Sequence, residues 1–174
     1  DKVFNNGVVK DKRRAIFLFS RLNEDESIKN KHVQRVDLEG LGADPIRIED
    51  IPNGSLCLFD DCDTFRDKKV VAEIKALQYD LLETGRHKGI YVVILSHLLI
   101  RPSQTENSYL YNECHLLTIF PKSGNRGHME RVLGLYFGLD KKKVAEVLGV
   151  NSRWVTVCKN YPSYYVWEGG VKLL

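Results

Sequence analysis

Four uninterrupted apolar runs divide the chain up to Phe120. Ala15 to Ser20 reads AIFLFS, Leu56 to Phe59 reads LCLF, Gly89 to His97 reads GIYVVILSH, and His115 to Phe120 reads HLLTIF. None alternates apolar with polar residues, so each is expected to be a strand buried on both faces. From Lys68 to Thr84 the pattern changes period. Val70, Val71, Ile74, Leu77, Leu81 and Leu82 fall at helical spacing, with Asp67 placed to cap the helix and Gly85 to end it. A strand, a helix and a strand in that order predicts an α/β fold with a mostly parallel sheet flanked by helices. Gln34 to Leu38 reads as a further short strand, Asn23 to Lys31 as a loop or short surface helix, and Pro52 to Gly54 as a turn.

Beyond Pro121 the texture differs. RGHMERVLGLYFGL and DKKKVAEVLGV carry helical patterns, and RWVTVCKNYPSYYVWEGG is rich in β-branched and aromatic residues around a Pro-Ser turn, as in a hairpin. The expected organisation is one domain over 1–174, with an α/β core at 15–120 and a small helical and β-hairpin extension at 121–174.

Composition narrows the class without naming a function. The chain has 174 residues, 43% apolar and 28% charged, which suits a globular domain rather than a disordered one. Its net charge of +3 permits a polyanionic partner without requiring one. No apolar run is long enough for membrane insertion as a helix, and no signal peptide is visible. Cys57, Cys62, Cys114 and Cys158 form no C-x-x-C pair, so they read as reduced thiols rather than a zinc site.

Candidate chemistry begins where LCLF runs into Asp60 and Asp61. Parallel sheets bind ligands at the carboxyl ends of their strands. Two carboxylates there are costly unless a cation or hydrogen bonds compensate. An apolar strand, an acid for Mg²⁺ and a second acid for the attacking water form the Walker B arrangement of nucleotide hydrolases. Strand neighbours alternate, so the two side chains are expected on opposite sides. The bland alternative is a strand stopping at a solvated polar turn, with Asp63 or Asp67 as a helix cap. Ser96 and His97 close the next strand, where a polar side chain can sense a phosphate or hold a water. Arg86 precedes that strand and is placed either to reach a neighbouring subunit's phosphates or to sit in a basic surface loop with His87 and Lys88.

Taken in order, IFLFSRLNEDES, LCLFDDCDTF, a helix, LLETGRHKGIYVVILSH, LYNECHLLTIFPKSG and SRWVTVCKNYPSYYVWEGG resemble the DNA-packaging ATPases of large double-stranded DNA viruses, in the FtsK/HerA class of P-loop motors. The resemblance runs from Ala15 onward. It implies a P-loop NTPase-like fold and a homo-oligomeric ring, hexamer-like or pentamer-like, that hydrolyses ATP with Mg²⁺ and drives double-stranded DNA into a capsid. It implies a place in the virion or the infected-host cytoplasm, with capsid, portal or membrane components as further partners. It assigns Asp60 to the metal and, with Asp61, to the nucleotide site. Asp61 becomes the catalytic acid, His97 the polar sensor, and Arg86 a residue acting in trans. One departure is plain: no G-x-x-x-x-G-K-S/T segment occurs, and neither Gly85 to Gly89 nor Pro121 to Gly127 supplies one. The phosphate-cradling segment is therefore expected upstream of Asp1 in a longer protein, and ATPase activity is expected of that protein rather than of this chain alone.

A non-catalytic alternative rests on Lys142 to Val157. Ala145, Gly149 and Val155 have helix-turn-helix spacing, and Lys141 to Lys143 and Arg153 could meet phosphates. Against it, Trp154 to Val157 are strong strand formers. Lys10, Lys12, Arg13, Arg14, Lys122, Arg126 and Arg131 are further candidate DNA contacts, each by default a solvated surface residue. Tyr161, Tyr164, Tyr165 and Trp167 fit a hairpin core or a subunit contact better than base stacking.

Overall fold

The structure, a computed structural model, describes residues 15–22, 28, 32–62, 65–97, 99 and 108–174. Lys10, Lys12, Arg13, Arg14 and nearly all of Asn23 to Lys31 lie outside the described residues. The chain forms two compact units, Asp1–His97 and Leu98–Leu174. The fold is α/β, with a parallel four-stranded sheet in the first unit and an antiparallel four-stranded sheet in the second.

In the first unit, β1 (Ile16–Ser20), β2 (Val33–Arg35), β3 (Leu56–Asp60) and β4 (Tyr91–Leu95) lie in the order β2-β1-β3-β4, all parallel. Helix α1 (Lys68–Thr84) crosses over between β3 and β4. Asp67 caps it, accepting the Lys69 N–H at 2.8 Å, and Gly85 ends it. Its Val70, Ile74, Leu77 and Leu81 share one core with Phe19, Cys57 and Phe59 of the sheet, and Phe19 stacks on Phe59 at 4.4 Å between ring centres. In-register neighbours share a face, so Phe17, Cys57 and Val92 line up, as do Phe19, Phe59 and Ile94.

The opposite face carries Leu18, Leu58 and Val93 in one row and Ser20, Asp60 and Leu95 in the next. Here the expectation of strands buried on both sides fails for β4. Tyr91, Val93 and Leu95 are 47%, 43% and 55% exposed. The strand is an edge, and α1 covers its other side only.

The second unit holds α2 (Ser108–Glu113), β5 (Leu116–Ile119), α3 (Arg126–Phe137), α4 (Lys141–Leu148), β6 (Val155–Cys158), β7 (Tyr164–Trp167) and β8 (Gly170–Leu173). Its sheet runs β5-β6-β7-β8. The predicted hairpin is present as β6 and β7, and the Tyr161–Pro162 peptide between them is cis. β8 was not anticipated. HLLTIF is a strand, but it is not part of the parallel sheet: Leu116–Ile119 pairs antiparallel with Val155–Cys158. The α/β core therefore ends before this strand, not at 120. A run of four apolar-leaning residues has no period to distinguish the two settings. Ile119, Val155, Val157 and Tyr165 face a core made with Met129, Val132, Leu133 and Val147.

The same pairing removes the helix-turn-helix over 142–157. Val155 to Cys158 is a central strand, so no second helix follows Gly149. Arg153 is held instead by Glu168, whose carboxylate takes its backbone N–H at 3.0 Å and its Nε–H at 2.9 Å. Tyr165 is buried against Trp167, with ring centres 5.2 Å apart, whereas Tyr161 at the turn is fully exposed.

Candidate functional site

The carboxyl ends of β1, β3 and β4 meet along one edge of the parallel sheet. Register places Ser20 beside Asp60 and Asp60 beside Leu95. The Ser20 hydroxyl donates to Asp60 Oδ2 at 3.1 Å, and accepts the Leu22 N–H at 3.3 Å. Ser20 is buried and Asp60 half-buried, on the sheet face away from α1.

Asp61 departs from the expected alternation because it is not a strand residue. Its φ is 51°, a left-handed conformation that no other non-glycine residue adopts among the described residues. The chain turns out of β3 there, and the Asp61 carboxylate meets His97 Nε2 at 2.8 Å from Oδ1. The contact is a hydrogen bond from the neutral imidazole and an ion pair when His97 is protonated. His97 is largely exposed and Asp61 about one-third exposed, so the pair faces solvent rather than the core.

Three of the four predicted site residues are thus brought together: Asp60, Asp61 and His97. Arg86 is not. It lies on the short helical turn Gly85–Lys88 before β4, at the amino end of the sheet. That turn is tied down by the Gly54 N–H to the Lys88 carbonyl at 2.8 Å and by Lys88 Nζ to the Ile48 carbonyl at 2.6 Å. A five-residue strand separates it from Asp60, on the order of 13 Å at the usual strand rise.

Sequence reasoning missed two residues on this side of the sheet, of which only Ser20 carried a signal. Ser20 is the polar residue closing an apolar strand, the same signature that singled out Ser96 and His97. Arg35, at the end of β2, donates from Nη1 to the Leu22 carbonyl at 2.6 Å, and its Nη2 is buried without a hydrogen-bond partner among the described residues. Nothing in QRVDL marks it.

Cys62 sits directly behind the acids. Its Sγ donates to the Phe19 carbonyl at 3.1 Å, and burial, helped by the charges of Asp60 and Asp61, pushes the thiol up to about 12. Cys57, within β3, is pushed to about 12 by burial alone. Neither is a thiolate at neutral pH, so neither is a nucleophile. The described cysteines are all free, in keeping with the reduced-thiol reading.

The donor set at Asp60 and Ser20 is oxygen only, which suits a hard cation such as Mg²⁺. Among the described residues no group of three or more His, Cys, Asp or Glu could hold a metal by itself. That is compatible with a site in which one or two carboxylates share the ion with phosphates and water. A phosphate-cradling loop is not among the described residues.

Fold and site together define an α/β chain whose parallel sheet ends in a carboxylate pair braced by a serine and a histidine. The chain is 38% identical over 162 residues to uncharacterized protein V3 of Sputnik virophage, an alignment taking in 93% of this chain and 65% of that protein. It is therefore similar to a viral protein and spans 65% of that relative's length. No family model and no solved structure matches it. No helix among the described residues is long and apolar enough to cross a membrane.

Proposed function

We propose that the chain is the metal- and water-side portion of a P-loop-type motor ATPase that moves viral double-stranded DNA into a capsid. The observation that carries this reading is the convergence of Ser20, Asp60, Asp61 and His97 at the carboxyl edge of a parallel sheet, with Asp61 held in a left-handed conformation. Left-handed non-glycine residues cluster at active sites, although aspartate also adopts this conformation in ordinary turns.

The proposed roles are those the resemblance implies, set against this geometry. Asp60, oriented by the Ser20 hydroxyl, would share Mg²⁺ with the nucleotide, and the ion would supply charge stabilisation at the transferring phosphate. Asp61 would orient a water and accept its proton. His97 would fix the Asp61 carboxylate through the Nε2–H it donates to Oδ1. Arg35 would add positive charge on the β2 side.

The exposed row Tyr91, Val93 and Leu95 supports a missing neighbour. A parallel sheet is normally covered on both faces, and β4 also leaves one edge unpaired. A strand and helix bearing the phosphate-binding segment would fill that edge and face, beside β4. The similar virophage protein is longer than the aligned part, so such a segment has room in a protein of that length.

The test uses the proposed longer protein, this chain together with a phosphate-binding segment. Asp61→Asn is expected to lower ATP hydrolysis at least 100-fold, by analogy with the usual size of general-base effects, while ATP binding is retained. Ordinary turnover in that variant would remove Asp61 from the mechanism. Absence of a G-x-x-x-x-G-K-S/T segment from the longer protein would remove the motor reading altogether.

A further inference from the structure

The helix-turn-helix spacing that fails over 142–157 recurs eleven residues earlier. Gly134, Gly138 and Val144 repeat the intervals of Ala145, Gly149 and Val155, and there the structure has two helices. Helix α3 ends at Phe137, Gly138 takes the left-handed conformation at φ 65°, and α4 begins at Lys141. The Leu139 N–H returns to the Leu133 carbonyl at 3.2 Å, and Asp140 caps α4 by accepting the Lys143 N–H at 2.9 Å. At Gly134 an added Cβ would sit 3.7 Å from the Leu139 carbonyl oxygen, so the turn passes in van der Waals contact with α3. Leu133, Phe137, Leu139, Val144, Val147 and Leu148 close the pair onto the sheet of the second unit. Two helices joined by a three-residue turn with a left-handed glycine form the scaffold that DNA-binding proteins use to present their second helix to a groove.

The outer surface of α4 is unusual for a helix start. Lys141, Lys142 and Lys143 are all exposed, and no hydrogen bond or ion pair holds their ammonium groups among the described residues. Three cations at the positive end of a helix oppose its dipole. Two carboxylates lie close: Asp140 at the cap accepts the Lys143 N–H at 2.9 Å, and Glu146 is taken by Tyr165 Oη at 2.7 Å and Lys172 Nζ at 2.6 Å, with Lys142 adding only a weaker attraction. The imbalance extends to the unit. Leu98–Leu174 holds ten Lys and Arg against six Asp and Glu, whereas 1–97 holds sixteen against seventeen. A local arrangement that costs stability and concentrates one sign of charge points to a polyanion.

We propose that the α3–α4 pair is a double-stranded DNA-binding surface, with Lys141, Lys142 and Lys143 of α4 contacting backbone phosphates. The choice of duplex DNA as the polyanion rests on the function proposed above. The surface itself is argued from a different unit and needs no nucleotide.

The experiment is fluorescence anisotropy of a labelled 20-base-pair DNA duplex with the full chain, without ATP, across 50–200 mM salt. A Lys141→Gln, Lys142→Gln, Lys143→Gln triple variant should bind more weakly and lower the salt slope by about three, which removes roughly 40-fold of the affinity change over that range. It should melt no lower than the parent, since it loses three cations that oppose the helix dipole. A Lys68→Gln, Lys69→Gln double variant, on α1, should leave binding unchanged. Equal losses in both variants, an unaltered slope in the triple variant, tighter binding to duplex RNA, or no binding by the parent at 50 mM salt would each overturn the proposal. Binding without ATPase activity in the longer protein would sink the motor reading and leave this one standing.

Discussion

Asp61 combines two properties that rarely coincide in a residue kept only for structure. Its backbone is left-handed, which costs a non-glycine residue on the order of 1 kcal/mol, and its carboxylate is committed to His97. A glycine would relieve the first and lose the second. The pair is exposed, so it offsets at most a strain of this size, such contacts contributing about 0.2–1 kcal/mol. Comparing Asp61→Gly with Asp61→Ala separates the terms, because both lose the carboxylate and only alanine keeps the strained backbone. The glycine variant is expected to be the more stable by about 1 kcal/mol in urea unfolding followed by far-ultraviolet circular dichroism. Equal midpoints would mean that residue 61 is not held left-handed. Asp60, Asp61 and His97 were legible in the sequence because each interrupts or closes an apolar run. Their geometry was not. Alternation along a strand predicts side, but only while the strand continues, and it stops at Asp60. Ser20 escaped notice because a serine closing a strand carries no charge to be explained.

At the level of elements, Glu168 binds the start of β6 to the end of β7. It accepts Ser152 Oγ at 3.0 Å, the Arg153 N–H at 3.0 Å and Arg153 Nε–H at 2.9 Å. These donors, the Arg153 backbone and side chain first, hold its carboxyl down at about 2. A depressed carboxyl stabilises the folded state fully above its ordinary value of 4.5, and the benefit is lost as pH falls through about 2. Unfolding of the second unit should therefore become modestly easier between those limits, since the Arg153–Glu168 pair is exposed. Glu168→Gln should flatten that dependence. Both tryptophans, Trp154 and Trp167, lie in this unit, so their fluorescence reads it selectively. An unchanged acid limb in the variant would show that other carboxylates set it. The same elements show where pattern reading stops. The strand-forming residues Trp154 to Val157 correctly argued against a second helix after Gly149, but the helix pair before it was hidden because α3 and α4 read as separate amphipathic segments. The three-residue turn joining them is decided by a left-handed glycine, and Gly138 is one of 13 glycines with nothing local to single it out. HLLTIF illustrates a second limit. Its apolar character fixed it as a strand, while its partner sheet depends on contacts with Val155 to Cys158, some forty residues on.

Across the whole molecule, the position of Arg86 sets a condition on any ATPase mechanism. It stands at the amino end of β4, and the acids stand at the carboxyl end of β3, so one chain cannot bring them to a single phosphate without dismantling the sheet. If Arg86 acts at all, it acts on a neighbour's site, as an arginine supplied in trans does in other phosphoryl-transfer enzymes. The consequence is testable by mixing. In the longer protein, rings built only of Arg86→Ala subunits and rings built only of Asp61→Asn subunits should both be inactive. A mixed ring contains interfaces where an intact Asp61 on one subunit meets an intact Arg86 on the next. Co-assembly at equal amounts should therefore restore roughly a quarter of the parental ATPase rate if subunits associate at random and each interface works independently, each site needing one group from either side. No recovery would place both residues in one site or in obligatorily coupled sites. Activity in the pure Arg86→Ala ring would return Arg86 to the basic surface turn it shares with His87 and Lys88. The nucleotide reading would then rest on Ser20, Asp60, Asp61 and His97 alone, which is the set the fold assembles within one chain.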